Sequence, residues 1–164
     1  MTDEVNIRPA TAAEEHIIIS LLREVAADMQ KKGIEQWIPE EFTSEKIQQW
    51  LRDGDVLLAF WQNKPAGCVA LTTNPDHLWA THPSLSVYLS KLAVDIALRG
   101  TGISQKLLRV AEDWAAHRNI YTIRLDCWAG NVHLRKFYTE QGYSLIAIAP
   151  EETWQVALFE KQFS

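Results

Sequence analysis

The chain has few of the features that define disulfide-rich, metal-binding or membrane-embedded proteins. Its 164 residues include only two cysteines, Cys68 and Cys127, which are far apart and in no paired spacing. They fit neither a disulfide framework nor a zinc site, and a reduced, cytoplasmic setting is therefore expected. No apolar run approaches the roughly 20 residues of a membrane-spanning helix, and the acidic first residues are unlike a signal peptide.

Positive charge is scarce as well. The chain has 16 lysines and arginines against 21 acidic residues, a formal net charge of -5. Nucleic acid is not expected as the main partner, because duplex binding needs a basic face. The net negative charge is compatible with a cationic or amine substrate. A mild charge of this sign also keeps small proteins soluble. No repeat, low-complexity tract or linker interrupts the sequence, which predicts a single domain over residues 1–164.

The predicted elements follow the order β-α-α-β-β-β-α-β-α-β-β, which indicates a mixed α/β sheet. A helix is predicted over residues 11–30, because its apolar residues recur at steps of three and four. Ser44 is expected to cap a second helix that ends near Arg52, and Asp53–Asp55 to form a turn. Gln62–Pro65 is expected to join the two strands of a hairpin.

The strand predicted from Ser86 to Val94 changes its pattern halfway. Its apolar residues Val87 and Leu89 stand at odd-numbered positions, whereas Leu92 and Val94 stand at even-numbered ones and would face the other side of the sheet. A one-residue slip near Ser90-Lys91 is what a β-bulge produces. A strand that is buried on both faces would give the same pattern, so both interpretations stay open.

A glycine-containing turn follows this strand and opens the next predicted helix. Two glycines at such a turn let backbone N–H groups approach an oxyanion closely. The start of the helix adds unpaired N–H groups and the positive end of its dipole. The segment therefore indicates a phosphate site, although a tight turn alone would use the same glycines. Its residues are Arg99, Gly100, Thr101, Gly102, Ile103 and Ser104.

A dinucleotide-binding fingerprint competes with this interpretation. Gly100-Thr101-Gly102 precedes a helix, and Asp126 ends the next predicted strand. However, Gln105 stands at the third glycine position, and only 38 residues follow Asp126. The segment is not a Walker loop, because no Gly-Lys-Ser/Thr follows it.

The predicted helix from Asn131 to Gln141 contains a second group of candidate functional residues. Asn131 and Tyr138 are seven residues apart, close to two helical turns, so they lie on one face with Arg135 between them. Asn131 also suits the helix N-cap, and Tyr138 equally suits a half-buried core position.

Together these motifs resemble the GNAT superfamily of N-acetyltransferases. Arg99, Gly102 and Ser104 match its Gln/Arg-x-x-Gly-x-Gly/Ala motif, with serine in place of glycine or alanine. The strand end Leu92-Ala93-Val94 precedes the motif, as in the family. The later helix with its glycine–aromatic ending is matched by Asn131, Phe137-Tyr138 and Gly142-Tyr143.

The resemblance implies a mixed, mostly antiparallel central sheet with a splayed strand pair and flanking helices. It implies an acyl-CoA-dependent N-acyltransferase that moves acetyl from acetyl-CoA to a primary amine, with no metal. Tyr138 would be the acid that protonates the departing thiolate, because a phenol with a pKa near 10 stays protonated at neutral pH. Trp37 would contact the acceptor. The backbone of the splayed strand would bind the pantetheine arm, and the glycine segment the pyrophosphate. The residues expected to bind coenzyme A are Leu92, Ala93, Val94, Arg99, Gly100, Thr101, Gly102, Ile103, Ser104, Asn131 and Arg135.

The general base is the point at which the sequence departs from the family. Many members place a glutamate where this chain has Tyr88. A non-catalytic acyl-CoA-binding module is therefore the alternative function. Glu35, Asp76 and His77 lie in loops expected on the acceptor side. The acceptor would be a small-molecule or peptide amine and the protein a monomer or homodimer, with neither nucleic acid nor a membrane as partner.

Overall fold

The computed structural model describes residues 4–34 and 36–164. Short 3-10 turns lie at Ala12–Glu14, Pro39–Glu41, His77–Trp79 and Ile96–Leu98. No helix in the described part of the chain is both long and apolar enough to cross a membrane. The strands and helices in chain order are β1 Val5–Pro9, α1 Glu15–Lys31, α2 Ser44–Asp53, β2 Gly54–Trp61, β3 Lys64–Thr72, β4 Val87–Val94, α3 Ile103–Ala116, β5 Thr122–Trp128, α4 Val132–Glu140, β6 Ser144–Glu151 and β7 Trp154–Gln162.

The strands form a seven-stranded sheet in the order β1-β2-β3-β4-β5-β7-β6. The pairs β1–β2, β2–β3, β5–β7 and β6–β7 are antiparallel, whereas β4 and β5 are parallel. The parallel ladder joins Val87 to Ile123 and Tyr88 to Arg124, at the beginning of β4. The expected fold class, a mixed and mostly antiparallel sheet with flanking helices, is confirmed.

Two compact units make up the chain. The first unit comprises residues up to Thr72 together with Lys91–Ala111, and the second comprises Thr73–Ser90 together with Glu112–Ser164. In the first unit, the predicted apolar stripe of α1 packs against β2, β3 and α2. Burying each large aliphatic side chain contributes about 1.5–3 kcal/mol. The buried cluster comprises Ile18, Leu21, Leu22, Val25, Ala26, Phe42, Ile47, Val56, Leu58, Cys68, Ala70 and Ala93.

The second unit has an apolar cluster of its own. Trp79, Tyr88, Val156 and Leu158 are buried against one another, and Ala147 and Ala149 pack on them. The aromatic residues of α4 and the last strands form a further buried group, described below.

Two local predictions were wrong. Thr43, not Ser44, caps α2: its hydroxyl accepts a hydrogen bond from the N–H of Lys46 at 3.3 Å. Asp53–Asp55 is not a turn either, because α2 ends at Asp53 and β2 begins at Gly54. Extended backbone at Gly54 (φ -176°) makes this direct connection.

The hairpin between β2 and β3 is tighter than predicted. Its loop consists of Gln62 and Asn63, with φ of 52° and 61°, and Pro65 lies within β3. Two consecutive residues at positive φ are typical of the hairpin turn whose twist matches that of the strands. This two-residue turn was not predicted, because neither of its positions holds the glycine that such turns usually contain.

Strand β4 is irregular where the change of parity predicted a bulge. Lys91 has φ 58°, which interrupts the extended backbone of the strand. Val87 to Leu89 are buried before this point, and Ala93 is buried after it. Ala93 has the same parity as Val87 and Leu89, so the burial pattern of β4 shows no exchange of faces at Lys91.

Gly67 lies where β3, β4 and α3 approach most closely, and we expect Gly67→Ala to destabilise the protein. A Cβ at this position would lie 2.8 Å from the Ala93 carbonyl oxygen and 3.1 Å from Leu107 Cδ1. Because the nearer atom belongs to the backbone, we expect a loss of about 1–3 kcal/mol in the free energy of unfolding. Urea denaturation measures this loss. Unchanged stability would mean that the β4 backbone moves aside at no cost.

Candidate active site

The segment between β4 and α3 is held by hydrogen bonds of Asp95. The N–H of Asp95 donates to the Ala66 carbonyl at 2.8 Å, which ties the end of β4 to β3. Its carboxylate accepts from the N–H of Ala97 at 2.9 Å and so caps the short turn Ile96–Leu98. The glycine segment thus starts from a fixed point within the first unit.

Both glycines of the segment have left-handed backbone conformations. Gly100 has φ 79° and Gly102 has φ 86°, a region that favours glycine. A Cβ at Gly100 would meet nothing within 4 Å, and one at Gly102 would meet only Gln105 Oε1 at 4.0 Å. The space over the glycines is therefore open to a ligand.

The start of α3 completes this surface with backbone donors. The first helical hydrogen bond runs from the N–H of Lys106 to the Gly102 carbonyl at 3.2 Å. The preceding amides, those of Ile103, Ser104 and Gln105, belong to the first turn, which has no intrahelical acceptors. Open glycines followed by these donors fit a phosphate or pyrophosphate group.

The side chains of the segment have partners within the first unit. Arg99 donates to Asp28 at 2.7 Å, and Lys32 pairs with the same carboxylate at 3.0 Å. These two cations hold the pKa of Asp28 below its ordinary value. The hydroxyl of Thr101 donates to the Leu98 carbonyl, and the Ile103 side chain is buried. Thr101 and Ile103 therefore offer a ligand chiefly their backbone N–H groups.

The end of β4 combines one buried residue with two half-buried ones. Ala93 is 3% exposed, whereas Leu92 and Val94 are half-buried. Cys68 on β3 donates its thiol to the Lys91 carbonyl, with 3.6 Å between sulfur and oxygen. Burial raises the pKa of this thiol to about 12, so it is no thiolate nucleophile at neutral pH.

Trp37 belongs to the first unit and is half-buried. Its ring meets that of Phe42 edge to face, with centroids 5.9 Å apart, and it packs against the core of the unit. One side of the ring therefore supports the fold. Glu35, also expected on the acceptor side, lies outside the described residues.

Tyr138 belongs to the second unit and is 4% exposed. Its ring lies against those of Phe137, Tyr143 and Phe159, at centroid distances of 5.4, 5.7 and 6.0 Å. Burial is the main cause that raises the pKa of the Tyr138 phenol above its ordinary value, and the nearby Cys127 adds to it. The hydroxyl is thus held protonated at neutral pH, as a proton donor requires.

Asn131 and Arg135 stabilise the start of α4. The Asn131 side chain accepts from the N–H of Leu134 at 3.1 Å, which makes it the N-cap. The Arg135 guanidinium donates to the Ala129 carbonyl at 3.0 Å. Both residues therefore have a structural role at this end of α4.

Arg124 is a buried arginine beside Tyr88, and no sequence pattern predicted its role. Arg124 is 4% exposed; its Nε donates to Glu160 at 2.8 Å and its Nη1 to the Tyr88 hydroxyl at 3.3 Å. It also donates to the His82 carbonyl and stacks 4.6 Å from the centroid of Trp79. The position that holds a glutamate in many GNAT enzymes thus holds a phenol beside a guanidinium. A charged residue within the strand from Thr122 to Trp128 was the only local signal.

Asp76 and His77 form an exposed cluster in the second unit. His77 Nε2 lies 3.0 Å from Glu151 Oε2, and its Nδ1 lies 3.3 Å from Asp76 Oδ1. Asp76 also accepts from the N–H of Leu78 at 2.8 Å. These contacts join the loop after β3 to the end of β6.

Comparison with known proteins defines the class of this chain. The profile of the acetyltransferase (GNAT) family matches residues 20–143. The uncharacterised N-acetyltransferase YesJ of Bacillus subtilis (strain 168) is 27% identical over 164 residues, covering 95% of this chain and 89% of that protein.

Solved structures share the fold over nearly their whole length. A GNAT-family acetyltransferase from Listeria monocytogenes superposes with a TM-score of 0.81 at 24% identity, covering 99% of each chain. The PaiA N-acetyltransferase of Thermoplasma acidophilum, solved with coenzyme A, has a TM-score of 0.77 at 20% identity, covering 98% of this chain and 99% of that one. The chain belongs to the acetyltransferase (GNAT) family and is an N-acetyltransferase. This assignment removes the dinucleotide-binding alternative.

We expect Tyr143→Phe to leave the protein as stable as before or more stable, by up to about 1 kcal/mol. The hydroxyl of Tyr143 is buried, and none of the described residues gives it a hydrogen-bond partner. Removing an unsatisfied buried group costs nothing and relieves its desolvation. Thermal unfolding measures the change, and Tyr143→Ala, which also deletes the ring beside Tyr138, should lose about 3–5 kcal/mol. A clear loss in Tyr143→Phe would show that the hydroxyl has a partner.

Proposed function

We propose that the protein transfers an acetyl group from acetyl-CoA directly to a primary amine. The observation that carries the proposal is the open turn at Gly100 and Gly102, followed by the amide donors of α3. Family membership supports it. A coenzyme A complex is known for a protein of the same fold.

In this proposal the first unit binds the donor. The amides of Gly100 to Ser104 and the Arg99 guanidinium hold the pyrophosphate. Arg99 then binds the pyrophosphate in addition to Asp28 or in its place. The backbone of Leu92, Ala93 and Val94 pairs with the pantetheine arm. An N–H near Leu92 polarises the thioester carbonyl as an oxyanion donor. Asn131 and Arg135 are proposed as further contacts to coenzyme A.

Bound acetyl-CoA supplies an activated thioester. The acceptor nitrogen forms a bond to the acetyl carbon, and the carbon–sulfur bond breaks. Tyr138 donates the proton that the departing thiolate takes up, because its buried hydroxyl carries that proton at neutral pH. A phenol beside Arg124 occupies the position of the family's glutamate, so the acceptor loses its ammonium proton through a water chain or reacts as an amine that is already neutral.

The tyrosine at position 88, where many family members have a glutamate, favours the alternative function, a non-catalytic acyl-CoA-binding module. The two functions differ in thiol release: an enzyme liberates coenzyme A when a suitable amine is present, whereas a binding module does not. The proposal further takes residues 1–164 as one N-acetyltransferase domain, cytoplasmic, monomeric or homodimeric, without a metal, nucleic acid or membrane partner.

Two variants at the glycine segment test donor binding. Gly102→Val should abolish coenzyme A binding, because its side chain enters the open space and strains a backbone with φ 86°. Ser104→Ala should bind within about threefold of wild type, since the backbone N–H is retained. Isothermal titration with coenzyme A measures both. Equal affinity in Gly102→Val and wild type would place the pyrophosphate elsewhere.

Release of free thiol from acetyl-CoA over a panel of amines and peptides tests catalysis. Tyr138→Phe should lower kcat by about 100-fold, the typical contribution of a general acid, while acetyl-CoA affinity stays nearly unchanged. Tyr121→Phe is the matched control, because Tyr121 is an exposed tyrosine of the same unit. An unchanged kcat would remove Tyr138 from the acid role. Tight coenzyme A binding without thiol release over the whole panel would favour the binding module.

A further inference from the structure

Two cations of the first unit meet at one carboxylate beside the glycine segment. The carboxylate belongs to Asp28 on α1; its Oδ2 atom accepts from Arg99 Nη1 at 2.7 Å and pairs with Lys32 Nζ at 3.0 Å. Because both contacts are to the same oxygen, the guanidinium of the glycine segment and the ammonium at the end of α1 lie close together. Lys32 thereby adds a second positive charge to the surroundings of the proposed pyrophosphate site.

The three charges of this triad do not balance. One carboxylate stands against two cations, and the two like charges repel each other at so short a separation. A guanidinium has five N–H donors and an ammonium three, so the contacts to Asp28 leave donors on both Arg99 and Lys32 for a further acceptor. A pyrophosphate offers several anionic oxygens and can accept from both cations at once.

Both cations are accessible to a ligand. The side chain of Lys32 is 56% exposed and that of Arg99 is 40% exposed, whereas that of Asp28 is 18% exposed. The carboxylate is therefore the more buried partner, and the cations are the groups that solvent meets. A Cβ at Gly33, next to Lys32, would meet nothing within 4 Å, and the same holds for Gly100, next to Arg99. The backbone beside each cation thus leaves open space.

Helix chemistry accounts for Lys32 and Asp28 as a pair, but not for the triad. A lysine at the C-terminus of α1 interacts favourably with the helix dipole, and two opposite charges four residues apart stabilise a helix slightly. That pair is complete without Arg99, which lies 71 positions from Asp28 in the sequence. The convergence of a second cation on the same oxygen, beside open glycines, is what points to an anionic ligand.

We propose that Lys32 is a further donor-binding residue, whose ammonium binds the pyrophosphate of the acyl donor together with the guanidinium of Arg99. The proposal rests on the proposed binding of coenzyme A at the glycine segment. The amides of the segment and the two cations then contact the same anion, and α1 contributes a full charge that no backbone group supplies. Asp28 holds the two cations side by side, but its own negative charge repels the pyrophosphate and weakens the site.

Isothermal titration of the full-length protein tests this role, with coenzyme A and with dephospho-coenzyme A, which lacks the ribose phosphate. Lys32→Met keeps most of the side-chain length but removes the charge. It should lower the affinity for both ligands about tenfold, the lower end for a hydrogen bond between charged groups, because the site is exposed. Lys32→Arg should stay within about threefold of wild type, since a cation remains. Lys31→Met is the matched control: it removes another exposed lysine from the last turn of α1 and should bind as wild type.

Two further measurements separate charge from folding. The difference in affinity between wild type and Lys32→Met should shrink as the salt concentration rises, since ions screen exposed charges. Asp28→Asn keeps an oxygen acceptor for both cations but removes the negative charge, so it should bind coenzyme A more tightly than wild type. Thermal unfolding verifies that each variant is folded.

The possible failures are distinguishable. If Lys32→Met binds coenzyme A as tightly as Lys31→Met, or if its loss of affinity persists at high salt, the role of Lys32 is overturned while coenzyme A binding stands. The same holds if Asp28→Asn gains no affinity, because the triad is then an ion-pair network only. A loss with coenzyme A but not with dephospho-coenzyme A would move the ammonium to the ribose phosphate and overturn the assignment to the pyrophosphate. If wild type binds neither ligand, the proposed function itself fails.

Discussion

The close approach of β3 to β4 and α3 at Gly67 is the constraint on which the proposed donor site depends. A Cβ at Gly67 would lie 2.8 Å from the Ala93 carbonyl oxygen, 3.1 Å from Leu107 Cδ1 and 3.3 Å from Ile103 Cγ2, so this position has room only for glycine. The end of β4 is thereby pressed against β3, and the first residue of α3 is anchored in the core. Both ends of the turn between them are thus attached to the core of the first unit.

If backbone groups recognise the donor, as proposed, the segment needs few specific side chains. Thr101 and Ile103 point their side chains back into the protein, and Arg99 already pairs with Asp28. The serine at position 104, which departs from the family pattern, is tolerable for the same reason: its N–H is independent of the side chain. Within this segment, glycine is required where φ is positive, at Gly100 and Gly102.

The sequence predicts best what depends on local periodicity. The apolar stripe predicted for α1 is buried at Ile18, Leu21, Leu22 and Val25, and the change of parity in β4 coincides with the unusual backbone of Lys91. Partners that are distant in the chain could not be predicted. Arg124 meets residues 36 and 42 positions away, and no local pattern specifies such pairs. The cap at Thr43 was missed because two adjacent hydroxyl residues offer the same chemistry.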